Sequence, residues 1–237
     1  MELIGIISGK GGVGKTTNVA NLGAALSSEF KKRTLVVDCN FESPDLPIYF
    51  GMCPLPASRK KVVEGRAIFV HPSGVHCMPS SSIDKSSASE LKEFLVNLDY
   101  HFVLLDSPPV GYELVLKLSD SILVVTNPDV LAVSGALKAI KRSEQRELAV
   151  LGVEINRVRK RKYEVSYAEL VSVFDTPLIA TVPESKHIPK ALAEGCPTVL
   201  RYPHCRAAIE FKKLAASLVG REYKVGVLGK VLSACRR

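Results

Sequence analysis

Residues 7–18 read I-S-G-K-G-G-V-G-K-T-T-N and hold four glycines, two lysines and two threonines directly after an apolar run that begins at Leu3. Glycine at this density weakens a helix or a strand, so the stretch is predicted to be a loop whose backbone approaches a ligand closely. Gly9 to Thr16 also has the spacing G-x-x-x-x-G-K-[ST], in which loop amides, a lysine and a hydroxyl suit phosphate groups and Mg²⁺. The alternative is a glycine-rich turn without a ligand.

The phosphate-binding interpretation assigns a part to each polar group of this loop. Lys15 would reach the β- and γ-phosphate oxygens of a nucleotide, and the Thr16 hydroxyl would ligate Mg²⁺. Backbone N–H groups at the start of the following helix would hold the β-phosphate. The predicted nucleotide-binding residues of this segment are Gly11, Gly12, Val13, Gly14, Lys15, Thr16 and Thr17.

Lys10 makes the pattern more specific. The segment K-G-G-V-G-K-T, from Lys10 to Thr16, resembles the deviant Walker A motif of the MinD/ParA family of P-loop ATPases. The resemblance implies binding of ATP and Mg²⁺ and an ATP-dependent homodimer in which Lys10 of each protomer reaches the other protomer's nucleotide. A solvated loop lysine is the alternative for Lys10.

The resemblance covers most of the chain, is closest to MinD-like members, and is weak only in residues 53–100. The other segments that carry it are Val36-Val37-Asp38, Leu104-Leu105-Asp106-Ser107-Pro108-Pro109, Val125-Thr126-Asn127-Pro128-Asp129, Asn156-Arg157, and Val182-Pro183-Glu184-Ser185 with Gly195-Cys196-Pro197. Together these segments span the chain from residue 10 to residue 197.

The resemblance also implies roles for residues outside the loop. Asp106 would hold the Mg²⁺ shell, and Asp38 would lie near the metal and the nucleophilic water. The implied adenine contacts are Asn156, Arg157, Pro183 and Glu184. The alternatives are a capping aspartate at a strand end for Asp106 and a simple turn residue for Asn156.

One position departs from the family pattern. Members usually carry a second aspartate two residues after the first, and here that position is Asn40. An amide can orient a water molecule, but it can neither accept a proton nor carry negative charge. With Lys10, Lys15, Asp38 and Asn40 as the catalytic set, we expect an ATPase that hydrolyses ATP slowly.

Short apolar runs alternate with segments of helical period, and these elements must position the loop. The predicted strands are Leu3 to Ile7, Leu35 to Val37, Phe102 to Leu105, Ser121 to Val125, Val150 to Ile155 and Leu178 to Val182. The predicted helices are Thr16 to Ser28, Ala88 to Asn97, Ala132 to Arg142, Tyr163 to Phe174 and Ala207 to Leu218. Strands that are apolar on both faces predict a doubly wound α/β fold with a mostly parallel sheet, its ligand at the carboxyl ends of the strands. Residues 53–66 and 79–89 are predicted to be loops.

Composition narrows the class of protein. The chain has 237 residues, a net charge of +8 and six cysteines without a C-x-x-C pair, which argues against a thiol redox motif or a zinc ribbon. No segment approaches the roughly 18 apolar residues that cross a bilayer. We therefore expect a cytoplasmic protein with one ATPase domain, residues 1–220, and a separate tail, residues 221–237.

The tail is basic and amphipathic. Five basic residues and one acidic residue give residues 221–237 a net charge of +4, and a helix would place Val227, Leu228, Val231 and Leu232 on one arc. The resemblance to MinD implies that such a tail binds an anionic membrane surface at the inner face of the cell membrane. A helix packed on its own core is the alternative.

A second concentration of positive charge lies at residues 157–162. In ParA-type relatives such residues hold DNA nonspecifically, although most basic runs are solvated loops. The expected function is a spatial-positioning switch for cell division, motility or related machinery, with an unidentified activator or cargo. The alternatives are a DNA-binding partitioning ATPase and an ATP-locked dimeric scaffold whose hydrolysis is vestigial because of Asn40.

Overall fold

A computed structural model describes residues 1–83 and 87–224 of the chain. Its strands are β1 (Glu2–Ile7), β2 (Thr34–Asp38), β3 (Lys60–Val63), β4 (Arg66–Val70), β5 (His76–Met78), β6 (Phe102–Asp106), β7 (Ser121–Thr126), β8 (Ala149–Val158) and β9 (Leu178–Pro183). Within the described residues they form one sheet in the order β3-β4-β5-β2-β6-β1-β7-β8-β9. In this order, all neighbours from β5 through β2, β6, β1, β7 and β8 to β9 pair in parallel. The remaining neighbours, β3 with β4 and β4 with β5, pair antiparallel.

Helices cover both faces of this sheet. They are α1 (Lys15–Ser28), α2 (Ala88–Asn97), α3 (Glu113–Leu118), α4 (Val130–Glu144), α5 (Tyr167–Val173), α6 (His187–Ala193), α7 (Thr198–Arg201) and α8 (Arg206–Leu218). Ile4 and Ile6 of β1 pack in one core cluster with α1, α7 and α8, whereas Leu3 and Ile7 pack in the other with α2, α3 and α4. Alternate residues of a strand point to opposite faces, so a strand covered on both sides is apolar throughout. The predicted doubly wound α/β fold is confirmed.

The prediction that residues 53–66 form a loop was wrong in part. This segment contains a short 3-10 helix, Ala57–Arg59, and strand β3, which pairs with β4 through a two-residue turn at Glu64 and Gly65. Both turn residues have positive φ, 47° and 78°, as a tight hairpin turn requires. The strand was missed because it is exposed and charged rather than apolar. Strands β4 and β5 were not predicted either.

One helix prediction and one further loop prediction differ from the structure, whereas the helix predicted at Ala88 to Asn97 has the predicted bounds. The helix predicted at Tyr163 to Phe174 is shorter, because Ser166 and Glu169 form a capping box that starts α5 at Tyr167. In the segment 79–89, Ser80–Ser82 forms a 3-10 turn and α2 begins at Ala88 with Ser87 as its N-cap. Residues 84–86 and 225–237 lie outside the described part of the chain, and so does most of the predicted tail.

The strand order brings the predicted site residues to one edge of the sheet. Strand β6 lies between β1 and β2, and in that register Asp106 pairs with both Ile6 and Asp38. The phosphate-binding loop (P-loop, residues 9–16) leaves β1 at the same edge. Because the carboxyl ends of parallel strands meet there, two carboxylates and the P-loop are neighbours.

Candidate nucleotide site

The backbone of the P-loop is shaped by glycine. Gly14 has φ +104°, which L side chains rarely adopt, and it immediately precedes the first residue of α1. A Cβ at Gly9 would lie 1.9 Å from the carbonyl oxygen of Gly135, so the backbones of the P-loop and α4 touch here. Among the described residues, the amides of residues 11–14 donate to no backbone carbonyl. The loop therefore presents free N–H groups, as an anion-binding loop requires.

Lys15 is the first residue of α1, and its side chain is buried. Its Nζ donates to the Ser8 hydroxyl at 3.1 Å, and that hydroxyl donates to the Lys10 carbonyl at 2.7 Å. Burial lowers the pKa of Lys15, while the nearby Asp106 carboxylate opposes the shift. An incoming anion would stabilise the charged form of this lysine.

Asp106 is 1% exposed and lies beside Thr16, whose hydroxyl makes a hydrogen bond with its carboxylate. Burial and, to a smaller extent, the neighbouring Asp38 raise the pKa of Asp106 to about 7, against the opposing effects of the Thr16 hydrogen bond and Lys15. Oδ1 of Asp106 has no hydrogen-bond partner, and neither has the neighbouring Ser107 hydroxyl. An unpartnered buried carboxylate oxygen next to a hydroxyl fits a hard cation such as Mg²⁺, which prefers oxygen ligands.

Asp38 is fully buried, and both of its carboxylate oxygens are engaged by the chain itself. Oδ1 accepts from the amide of Asn40 at 3.0 Å, and Oδ2 accepts from the amide of Leu46 at 3.2 Å. Burial raises the pKa of Asp38 to about 6, and these two hydrogen bonds act in the opposite direction. Asp38 thus anchors the segment that follows β2, and each oxygen keeps one lone pair for a further ligand.

The Asn40 side chain closes a turn. Its Nδ2 donates to the Ser43 carbonyl at 2.7 Å, and its Oδ1 accepts from the Ser43 amide at 3.3 Å. Both ends of the amide are therefore engaged within residues 40–43. A water-orienting role for Asn40 requires this turn to open.

Lys10 lies on the surface, outside the buried cluster. Its Nζ is 3.1 Å from Oδ1 of Asp129, and the two side chains are 43% and 46% exposed. Asp129 is the N-cap of α4, and the same oxygen accepts from the Ala132 amide at 2.9 Å. In this structure Lys10 is therefore paired within its own chain.

The four predicted adenine contacts separate into two groups. Asn156 is buried, and its Nδ2 donates to the Val13 carbonyl at 2.8 Å while its Oδ1 accepts from the Arg157 amide. Arg157 itself is exposed, with φ +54°. Pro183 and Glu184 line a separate cavity of about 480 Å³ whose other walls include Arg159, Lys160 and Arg161. Asn156 thus supports the P-loop directly, whereas Pro183 and Glu184 lie in a positively charged cavity.

Two residues of the site, Ser8 and Tyr49, escaped sequence analysis. Ser8 precedes the motif and positions Lys15. Ser107, which belongs to the segment after β6 that carries the family resemblance, contributes an unpartnered buried hydroxyl. Tyr49, in the 3-10 helix Leu46–Phe50, makes a 2.9 Å hydrogen bond with Thr17. The spacing of the motif carries no signal for Tyr49, which is brought to the site by the Asp38–Leu46 hydrogen bond.

Other kinds of site find little support in the described residues. Residues 1–83 and 87–224 contain no cluster of three or more His, Cys, Asp or Glu side chains arranged to hold a metal ion. Within the same residues, Cys39, Cys53, Cys77, Cys196 and Cys205 are free thiols. No helix in this part of the chain has the length and apolar character needed to cross a bilayer.

Comparison with known proteins agrees with this geometry. The model of the CobQ/CobB/MinD/ParA nucleotide-binding domain matches residues 4–199. An uncharacterized ATP-binding protein of Methanocaldococcus jannaschii is 33% identical over 235 residues, which cover 93% of this chain and 89% of that protein.

Two solved structures are similar over nearly their whole length. The septum site-determining protein MinD of Pyrococcus horikoshii, complexed with Mg-ADP, is 28% identical with a TM-score of 0.79 and covers 92% of this chain and 95% of its own. The MinC:MinD cell division complex of Aquifex aeolicus contains a chain that is 25% identical with a TM-score of 0.81, covering 95% and 99%. The Mg-ADP of the Pyrococcus protein agrees with the predicted nucleotide and Mg²⁺.

The family model spans well over half of the chain, and it includes the P-loop, Asp38, Asp106 and Asn156. The resemblance inferred from the motifs is therefore confirmed. This chain belongs to the CobQ/CobB/MinD/ParA nucleotide-binding domain family.

Proposed function

We propose that this protein is a MinD-like ATPase that binds ATP with Mg²⁺, dimerises around the nucleotides and hydrolyses ATP slowly. The observation that carries the proposal is the cluster of the buried Lys15 and Asp106 with the half-buried Thr16, beside the free amides of the P-loop. This cluster combines anion-binding donors with an unpartnered carboxylate oxygen. Phosphate and a hard cation together satisfy both kinds of group.

The residues of the site have distinct tasks in phosphoryl transfer. Lys15, oriented by Ser8, would hold phosphate oxygens in a buried setting where its charge acts strongly. Thr16 and Asp106 would hold Mg²⁺, which when bound neutralises charge on the phosphate oxygens. Asp38, through its remaining lone pairs, would orient the attacking water.

Slow hydrolysis is supported by the state of Asn40. Its side chain is engaged in the turn with Ser43, and it carries no negative charge. Phosphoryl transfer depends mainly on positioning and electrostatics, so an amide here lowers the rate without abolishing it. A water-positioning carboxylate contributes about 10² to 10⁴ in rate in enzymes generally.

Dimerisation is supported by the exposure of Lys10. The side chain lies outside its own buried cluster, so its ammonium is accessible to a second protomer once it leaves Asp129. In the proposed dimer, Lys10 of each protomer binds the phosphates held by the other. The nucleotide then lies between two protomers, which makes the dimer dependent on ATP.

The proposed output is the positioning of cell-division or related machinery, at the membrane and with a partner protein. The basic, amphipathic residues 221–237 support membrane binding, because two weak tails in one dimer bind more firmly than one. The complex of a similar chain with MinC supports a protein partner as cargo or activator.

DNA binding is the second candidate. Arg157 near the end of β8 and Lys160, Arg161 and Lys162 on the following loop are exposed. Among the described residues, their side-chain charges form no ion pair within 4 Å. Arg159, by contrast, is paired with Glu184. ATP-dependent binding to random-sequence duplex that weakens as salt rises would favour this candidate over the membrane. An ATP-locked scaffold is the third, and a stable wild-type dimer without turnover would favour it.

Calorimetric titration of the full chain with ATP and ADP, with and without Mg²⁺, tests the site. We expect Mg²⁺-dependent binding that Lys15→Ala abolishes, while Lys117→Ala, at an exposed lysine on α3, leaves it intact. Equal binding by the Lys15→Ala variant would contradict the proposal.

Co-sedimentation with anionic vesicles tests the membrane role. We expect ATP-dependent pelleting of the full chain and its loss in a Leu228→Glu, Leu232→Glu variant, with neutral vesicles as the control. If the wild type does not pellet, the membrane role is wrong, and binding to duplex DNA is the next measurement.

A further inference from the structure

Tyr49 connects the segment after β2 with the first turn of α1. Its hydroxyl lies 2.9 Å from the Thr17 hydroxyl, across 32 residues of sequence. Thr17 is 7% exposed, and the Tyr49 ring packs partly buried against the core cluster around α1. The phenol is therefore held in place at the P-loop helix by packing as well as by the hydrogen bond.

One of the two hydroxyl protons of Tyr49 and Thr17 is left without an acceptor. Each hydroxyl carries one proton and two acceptor lone pairs, and their mutual hydrogen bond uses one proton only. The other proton has no acceptor in the hydrogen bonds of the described residues. A pair of hydroxyls at the start of a helix can thus donate to one further oxygen.

Tyr49 also lies within electrostatic reach of charged residues of the candidate site. Burial raises the pKa of Tyr49, the Thr17 hydrogen bond and Arg157 lower it, and Asp106 and Asp45 raise it. The hydrogen bond to Thr17, in the first turn of α1, places the phenol beside the end of the P-loop.

We infer that Tyr49 is an additional nucleotide-binding residue, because the hydroxyl pair that it forms with Thr17 donates its remaining proton to a phosphate oxygen at the start of α1. The inference rests on the proposed nucleotide site. Such a contact would also restrain the segment 40–51, which carries Asn40 at one end and Tyr49 near the other. A phosphate bound to Tyr49 restrains this segment from its far end, while Asp38 anchors its near end.

The test compares Tyr49→Phe with Tyr100→Phe in the full chain, by titration with ATP and ADP in the presence of Mg²⁺. The two changes are matched, because Tyr100 also loses a hydroxyl bond, to His76 at 2.6 Å, on β5. We expect Tyr49→Phe to weaken both nucleotides about tenfold, the usual loss for a hydrogen bond to a charged group. Tyr100→Phe should bind as the wild type does.

Thr17 supplies a second measurement. If Tyr49 and Thr17 act as one donor pair toward the phosphate, Thr17→Ser should retain affinity, and Thr17→Val should lose it. The losses of Thr17→Val and Tyr49→Phe should then not be additive in the double variant. Additive losses would show that the two hydroxyls act separately and would overturn the inference.

Hydrogen exchange distinguishes a nucleotide contact from a structural brace. On ADP binding, amides of residues 40–51 should exchange more slowly in the wild type and less so in Tyr49→Phe. A Tyr49→Phe variant with lowered thermal stability but wild-type affinity would overturn the inference. Absence of binding by the wild type would instead overturn the proposed function.

Discussion

Lys10 and Asp129 form an ion pair of 3.1 Å between the P-loop and the N-cap of α4. Since a single oxygen of Asp129 accepts from both Lys10 and the Ala132 amide, the pair fixes the lysine to the beginning of a helix. In the proposed dimer the same lysine must reach a second protomer. The internal pair therefore competes with dimerisation.

Removing the charge of Asp129 should release Lys10. Asparagine caps a helix about as well as aspartate, so Asp129→Asn keeps α4 while weakening the ion pair. An exposed ion pair contributes about 0.2–1 kcal/mol, and the dimer releases two such pairs, so the ATP-bound dimer should form at a protein concentration about 2- to 30-fold lower. Light scattering at graded protein concentrations measures this, and a weaker dimer would contradict the competition.

Lys10→Ala should abolish ATP-dependent dimerisation while leaving nucleotide binding by the monomer intact. Lys10 is exposed and lies outside the buried cluster of Lys15 and Asp106, so the monomer should bind ADP with wild-type affinity. The ATP-dependent dimer should be lost, because no other residue is proposed to reach the partner's phosphates. Titration with ADP and light scattering with ATP check the two halves. A Lys10→Ala variant that still dimerises with ATP would exclude the trans contact.

Asn40→Asp should accelerate hydrolysis. The substitution removes the donor to the Ser43 carbonyl and introduces a charge that can orient water, so the turn at residues 40–43 opens more readily. We expect phosphate release to rise by about tenfold or more. Asn40→Ala, which opens the turn without adding a carboxylate, is the control. If the Asn40→Asp variant releases phosphate no faster than the wild type, Asn40 does not limit the rate of ATP hydrolysis.

Glu154 should give the stability of the protein a specific pH dependence. It is fully buried on β8 beside Asn18, and burial raises its pKa to about 8 from 4.5. Neither Glu154 oxygen has a hydrogen-bond donor, and burial favours the neutral acid more strongly than Asn18 favours the ionised one. The unfolded chain ionises first, and stability is therefore lost as pH rises from about 4.5 to about 8.

Glu154→Gln removes this loss. The free energy of unfolding of the variant, relative to wild type, should increase between pH 5 and pH 8 by at most about 1.4 kcal/mol per pH unit. Urea titrations across this range measure it, and the difference between two chains cancels the titration of Asp38 and Asp106. Glu144→Gln, at an exposed position on α4, is the control. A pH-independent difference for Glu154→Gln would show that Glu154 is ionised in the folded protein.

The six predicted strands and the P-loop could be predicted because their sequence patterns are unambiguous. The six strands are apolar on both faces, and the P-loop glycines directly follow one of them, which is where a phosphate-binding loop is expected. The hairpin of β3 and β4 was missed because its strands are short and β3 is exposed, and a charged, solvated strand resembles a loop in sequence. Local spacing cannot show such pairing.

The partners of the site residues were less predictable than their positions. Asn156 was recognised as a site residue, but its hydrogen bond to Val13 crosses 143 residues and depends on β8 lying two strands away from β1. The engagement of Asn40 by Ser43 and of Lys10 by Asp129 is likewise set by geometry rather than by residue type. Motifs thus predict which residues contact a ligand, whereas the hydrogen-bond partners of those residues without the ligand depend on the three-dimensional fold.

Because the backbones of Gly9 and Gly135 are in direct contact, a displacement of α4 would be transmitted to the P-loop. No side chain lies between the two backbones to absorb a displacement, because a Cβ at either glycine would overlap the other residue. Leu131, near the exposed start of the same helix, is 73% accessible to solvent. A protein that binds α4 from outside would thus act on the backbone of the P-loop without entering the candidate nucleotide site.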